Sequence, residues 1–255
     1  MRRRASAAAA AIGLALLTQG GAADAAEIKV VASVGVKAVL EELAPQFERA
    51  GEHKVKITFG TAVPLKRQID AGESFDVVIL TPALVEDLAK GGKIAPGTAS
   101  NVAKAGIGVA IRAGAPKPDI GTPDAFKRAL VNAKSIAYSK EGQSGTAMAR
   151  LIERLGLAEE LKARTVLETR SGKVAANVVE GKAELAFTLL SEILPIAGAE
   201  VAGMLPAELQ SYVVFTAGVG AGAANPQAAK AFIDFLKAPA ALPVLKAKGM
   251  EPGTP

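Results

Sequence analysis

Residues 138–157, YSKEGQSGTAMARLIERLGL, decide how the rest of the chain is read. The strand-like run that ends in Tyr138 and Ser139 gives way to Gly142, Gln143, Ser144, Gly145 and Thr146. A helix follows, in which Met148, Leu151, Ile152 and Leu155 fall at spacings of three and four. That spacing puts four apolar side chains on one helix face, and Gly156 stands where a left-handed C-cap belongs. Capping the start of the helix needs only one hydroxyl. A junction with so many small, uncharged donors points to a guest on the helix end.

Outward from this stretch, apolar runs alternate with amphipathic helices. Strands are predicted at 28–33, 55–59, 75–80, 107–111, 135–138, 183–190 and 212–215. The run Phe75-Asp76-Val77-Val78-Ile79-Leu80 is apolar on both faces after Asp76, as in a buried parallel strand. Val36, Val39, Leu40, Leu43 and Phe47 form one helical stripe, in which Pro45 predicts a kink or an early end. Phe232, Phe235 and Leu236 form another stripe before Pro239. The alternation argues an α/β fold with a largely parallel sheet. Turn-rich segments at 113–118 and 216–222 read as two crossings between lobes. They assign residues 27–112 with 217–255 to one lobe and 113–216 to the other.

The ends and the composition narrow the function. Arg2-Arg3-Arg4, the apolar residues 5–17 and Ala23-Asp24-Ala25 have the layout of a secretory signal peptide over residues 1–26. The apolar part is too short for a membrane span, which needs about 20 residues. The mature chain is therefore expected in the periplasm, as a monomer. With no cysteine among its 255 residues, it holds neither disulfides nor thiol chemistry. Losing Arg2, Arg3, Arg4 and Asp24 leaves 27 basic against 24 acidic residues, scattered along helix faces. Trp is absent and Tyr occurs twice, so there is no platform for stacking bases, and nucleic acid is not expected as a partner.

The opening junction has three counterparts. Ser33-Val34-Gly35 ends the first strand, Thr61-Ala62 follows the second, and Arg170-Ser171-Gly172-Lys173 precedes residues 174–179. In open α/β sheets ligands lie outside the carboxyl ends of the strands, where helix starts offer unpaired N–H groups and partial positive charge. Glycine admits close approach, and Ser or Thr adds a rotatable donor. Any one junction is also what plain capping produces; four together could enclose one anion. The candidate ligand-binding residues are Ser33, Gly35, Thr61, Ala62, Gln143, Ser144, Gly145, Arg170, Gly172 and Lys173.

Catalytic patterns are missing. The sole histidine, His53, reads as a solvated turn residue, and Gly142-Gln143-Ser144-Gly145 lacks the nucleophile-elbow spacing. One histidine without cysteine makes a poor zinc site, and no cofactor is expected. A secreted hydrolase using carboxylates or Ser144 is the competing class.

The order of Ala32-Ser33, Phe59-Gly60-Thr61, Leu65-Lys66-Arg67-Gln68-Ile69-Asp70-Ala71-Gly72 and Phe75-Asp76-Val77-Val78-Ile79 resembles the periplasmic molybdate-binding proteins, type II solute-binding proteins of ABC importers. The resemblance implies two α/β lobes joined by two crossovers, closing on a ligand and then docking on an inner-membrane permease. It gives Ser33 the role of the oxyanion-holding serine after the first strand. The family's serine run is replaced here by Thr61-Ala62-Val63, and its tyrosine falls about where Leu189 stands. With fewer neutral donors and with Arg170 and Lys173 beside the fourth junction, a small di- or tricarboxylate competes with a molybdate-like oxyanion as ligand. A sensor role on the same scaffold also stays open.

Overall fold

The computed structural model describes residues 27–51 and 53–253; the signal peptide expected over residues 1–26 lies outside the described residues. In chain order the strands are β1 (Glu27–Ser33), β2 (Lys54–Gly60), β3 (Val77–Leu80), β4 (Ser100–Arg112), β5 (Ile136–Ser139), β6 (Thr165–Glu168), β7 (Leu185–Leu189), β8 (Ala199–Met204), β9 (Tyr212–Val219) and β10 (Glu251–Pro252). The helices are α1 (Lys37–Gly51), α2 (Ala62–Asp70), α3 (Pro82–Lys90), α4 (Pro123–Asn132), α5 (Gln143–Arg154), α6 (Ala158–Lys162), α7 (Ala176–Val179), α8 (Leu190–Ile193), α9 (Pro226–Lys237) and α10 (Leu242–Ala247).

The main path of the sheet runs β2-β1-β3-β9-β4-β7-β5-β6, with β8 and β10 pairing onto β4. Each lobe contains a parallel trio, β2-β1-β3 in one and β7-β5-β6 in the other. The expectation of a largely parallel sheet holds only inside these trios, because every pairing of β4 and β9 is antiparallel. These two strands carry the chain between the lobes and back, so each lies against the trios in the reverse direction.

The crossing also lies elsewhere than the turns suggested. Residues 100–106 of β4 pair with β9, whereas residues 107–112 pair with β7 and β8. Residues 107–112, read with the first lobe, thus belong to the second sheet half, and residues 212–216 belong to the first. The strand itself makes the crossing: its apolar residues continue through both halves, and the turn at 113–118 comes only after β4 has ended.

Amphipathic faces close the two cores. α1 buries Val39, Leu40, Leu43, Ala44 and Phe47, and Phe47 meets Phe232 of α9 edge to face, ring centroids 5.1 Å apart. α1 runs through Pro45 without ending. The proline is exposed, so the carbonyl left without its helical donor faces water, and packing outweighs the lost bond. Asp76, 4% exposed, lies just before β3. Its carboxylate accepts from the Lys29 and Ala224 amides at 2.7 and 2.8 Å, tying β1 to the segment before α9. His53 is not a solvated turn residue: it is half-buried and stacks on Phe47 at 5.7 Å.

Candidate functional site

The carboxyl ends of β1, β2, β3, β5 and β7 point into one cleft. Its walls include Ser33, Thr61, Ala62 and Thr81 from the first lobe, and Ser139, Gly142, Gln143, Ser144, Gly172, Val174, Leu189 and Glu192 from the second. Val213 and Phe215 of β9 and the Val34 side chain complete it. The free space is about 40 Å³, and a single water-sized group needs roughly 10–15 Å³ of such space. A guest of a few non-hydrogen atoms fits. Among the described residues, no Lys, Arg or His lines this space, and Glu192 is its one ionisable side chain.

The lobes touch across it. Thr61 Oγ1 donates to Ser171 Oγ at 3.2 Å, and Ser191 Oγ donates to the Gly35 carbonyl at 2.7 Å. A Cβ on Gly172 would come within 2.8 Å of Val34 Cγ2. The clamshell is closed, and two larger cavities flank the inner cleft. One, about 410 Å³, is bounded by α3, α5 and β9 and includes Arg150; the other, about 310 Å³, includes Lys37, Glu41 and Lys173. A further cavity of about 370 Å³ lies between the Ala115–Asp119 turn and α4.

Local chemistry separates the helix starts at the cleft from those elsewhere. Away from it, Thr122 and Asn225 cap α4 and α9 with their own side chains, accepting from Ala125 and Ala228 amides at 3.2 and 3.1 Å. At the cleft, Ser33, Thr61 and Thr81 occupy N-cap positions but make no side-chain cap bond, and the N-cap of α5 is Gly142. These three hydroxyls, on residues that line the cavity, are thus left uncommitted to their own helix starts. α2 and α5, of 9 and 12 residues, direct their starts at the same space.

Six of the ten residues singled out from sequence line the cleft: Ser33, Thr61, Ala62, Gln143, Ser144 and Gly172. Four do not. Gly35 is buried against Phe215, whose Cζ would lie 2.4 Å from an added Cβ. Gly145 lets α5 pack on β5, where a Cβ would fall 1.8 Å from the Ser139 carbonyl oxygen. Lys173 lines only the outer cavity. Arg170 does not line the cleft: its guanidinium binds both Glu168 oxygens, at 2.6 and 3.0 Å, and reaches Glu180 at 3.1 Å. Glu168 is 6% exposed, and this hydrogen bonding from Arg170 holds its pKa down to about 2 against the cost of burial. Arg170 is raised above its ordinary value by the same partners.

Thr81, Ser139 and Glu192 were missed, and Leu189 was named only as the place of an absent donor. Leu80-Thr81-Pro82 has the strand–hydroxyl–helix form of the other junctions and could have been found on that ground. Glu192 gave no signal. Burial pushes its carboxyl upward, opposed by the hydrogen bond from Thr188 Oγ1. Among the described residues, no group of three or more His, Asp or Glu could hold a metal ion.

A sequence model of the bacterial extracellular solute-binding proteins matches residues 28–251. The chain belongs to that family. Among these solute-binding proteins and their relatives it is 31% identical to the molybdate-binding protein of Azotobacter vinelandii, over 89% of this chain and 91% of that one. It is 29% identical to an aconitate isomerase of a Pseudomonas species, over 88% and 87% of the two chains. The solved structure of an Azotobacter vinelandii periplasmic molybdate-binding protein superposes with a TM-score of 0.75 at 27% identity, covering 88% of this chain and 98% of that one. The resemblance read from the sequence, from Ala32-Ser33 through the Ser144 helix to Phe232–Leu236, therefore holds over nearly the whole described chain.

Proposed function

We propose that this solute-binding protein works in the periplasm, captures a compact oxyanion of the molybdate kind between its lobes, and passes it to an inner-membrane ABC permease. One observation carries the reading: hydroxyls at Ser33, Thr61 and Thr81 hold N-cap positions without capping, beside the starts of α2 and α5. Neutral donors fixed in advance can replace the hydration shell of an anion without a basic counter-charge. The free space of about 40 Å³ favours a tetrahedral ion over an extended acid. The relatives named for molybdate agree with this reading.

A second reading, a small di- or tricarboxylate, has its own support. The cavity that holds Arg150 adjoins the inner cleft through Thr81, Gln143 and Val213, so a longer acid has somewhere to extend. A relative named as an aconitate isomerase belongs on this side. If the protein turned such an acid over, Glu192 is the cleft side chain able to move a proton.

Thermal shift of ligand-stripped protein with molybdate, tungstate, sulfate, phosphate, citrate and aconitate decides between the two. A ligand at 100 times its Kd adds roughly 2.7 kcal/mol, several degrees for this size. Stabilisation by tetrahedral ions alone supports the first reading. Stabilisation by citrate or aconitate alone overturns it, and proton NMR of the aconitate sample then tests for turnover.

A further inference from the structure

Glu192 is the one feature of the cleft that an anion-binding site does not explain. It lines both the inner cleft and the outer cavity, and Thr188 Oγ1, on a residue with no exposed surface, is bonded to its Oε2. No cationic partner is bonded to its carboxylate. In so small a space a bound anion lies within a few ångströms of the carboxyl group, and two like charges at that separation do not both stay ionised.

No cation in its surroundings is bonded to it. The inner cleft presents hydroxyls, amides and apolar side chains. The charged groups that share the outer cavity are Lys37, Glu41 and Lys173; Lys37 is 3.5 Å from Glu41 and about half exposed. On the strands packed against α8, charged groups are engaged elsewhere: Glu200 with Lys117, Lys104 with Glu251, and Arg112 with the Val178 and Val179 carbonyls. On the α10 side, Lys248 pairs with Glu42.

We propose that Glu192 is a neutral carboxylic acid in the complex, keeps its proton and donates a hydrogen bond through it to the bound anion, so that closure on a fully ionised guest takes up one proton wherever Glu192 is ionised in the empty protein. This rests on the anion-binding reading above and deepens it. Burial already favours the protonated form in the empty protein, and the anion favours it further, as in sites that keep a carboxylic acid neutral in order to use it as a donor. The device gives selectivity as well as pH dependence. A guest that supplies acceptor oxygens only is preferred at low pH, whereas hydrogenphosphate, which brings its own proton, can satisfy an ionised Glu192.

The test is a titration of full-length mature protein with sulfate and with molybdate, both fully ionised between about pH 6.5 and 8.5, together with calorimetry in two buffers of different ionisation enthalpy. Above the Glu192 pKa of the empty protein, affinity should fall about tenfold per pH unit, and about one proton should be absorbed on binding. Glu192→Gln, checked for folding by its melting curve, offers an amide donor with nothing to titrate and should lose the pH slope. Tight binding with a flat profile and no proton uptake overturns the proposal and leaves the anion site standing. The same slope in Glu192→Gln also overturns it. Absence of binding by these ions and by citrate at every pH removes both readings together. The calorimetric arm uses only the wild-type protein, so a variant that fails to fold does not block the test.

Discussion

Substituting Gly172 by Ala tests closure, and its effect divides into two parts. Gly172 has φ +66°, a left-handed conformation that alanine adopts at a cost of roughly 1 kcal/mol. That cost applies whether the lobes are open or closed, so it appears as lost stability. The second part exists only when the lobes meet: the new methyl would stand 2.8 Å from Val34 Cγ2, against about 3.5–4.0 Å for an ordinary carbon contact. Val34 is β-branched and cannot swing clear freely, so crowding of about 1–2 kcal/mol opposes closure. Anion affinity should fall about 5- to 30-fold. Calorimetric titration in a double-mutant cycle with Val34→Ala isolates the contact. In the Val34→Ala background the second substitution should cost little affinity while still lowering the melting temperature. An equal loss of affinity in both backgrounds would show that Val34 and Gly172 do not meet in the ligand-bound state.

Four further outcomes follow from named contacts. Arg170→Ala should leave anion affinity unchanged but destabilise the protein by about 2–4 kcal/mol, because Glu168 loses its main partner while buried; denaturant titration and binding measured side by side check this. Glu168 titrates at about 2 in the folded protein against 4.5 unperturbed, so the stability it adds, at most about 3 kcal/mol, is complete above the unfolded value and disappears as pH falls from 4.5 towards 2. In Arg170→Ala that acid-dependent loss should shrink. Thr61→Val should weaken anion binding about 10-fold in calorimetric titration with little change in ligand-free melting, since its hydroxyl does not cap α2 and its bond to Ser171 is exposed to water. Asp76→Ala strands two backbone donors and should cost about 2–4 kcal/mol of stability.

The α5 junction was legible in sequence because a strand, four small donors and an apolar stripe are all local patterns. Ser33 and Thr61 were legible for the same reason. Gly35 and Gly145 were misread because glycine serves a ligand and a neighbouring atom alike. Only coordinates show that Phe215 fills one approach and the Ser139 carbonyl the other. Arg170 could have been read better: Glu168, an acidic residue at a strand end, lies only two residues before it, within easy reach of its guanidinium. The first half of β4 escaped notice because Ser100, Asn101, Lys104 and Gly106 are poor strand formers, and pairing with β9 overrides that preference. Glu192 reaches the cleft through the turn from β7 into α8, a tertiary fact with no periodic signature.

The most direct test of the central claim is a crystal structure of the mature protein with tungstate, located by its anomalous scattering. The account predicts one tungsten peak in the inner cleft, its oxygens within about 3 Å of donors from both lobes, among them the hydroxyls of Ser33 and Thr61 and the start of α5. A peak bound by one lobe alone, or seated beside Lys37 and Lys173 in the outer cavity with the inner cleft empty, would contradict it.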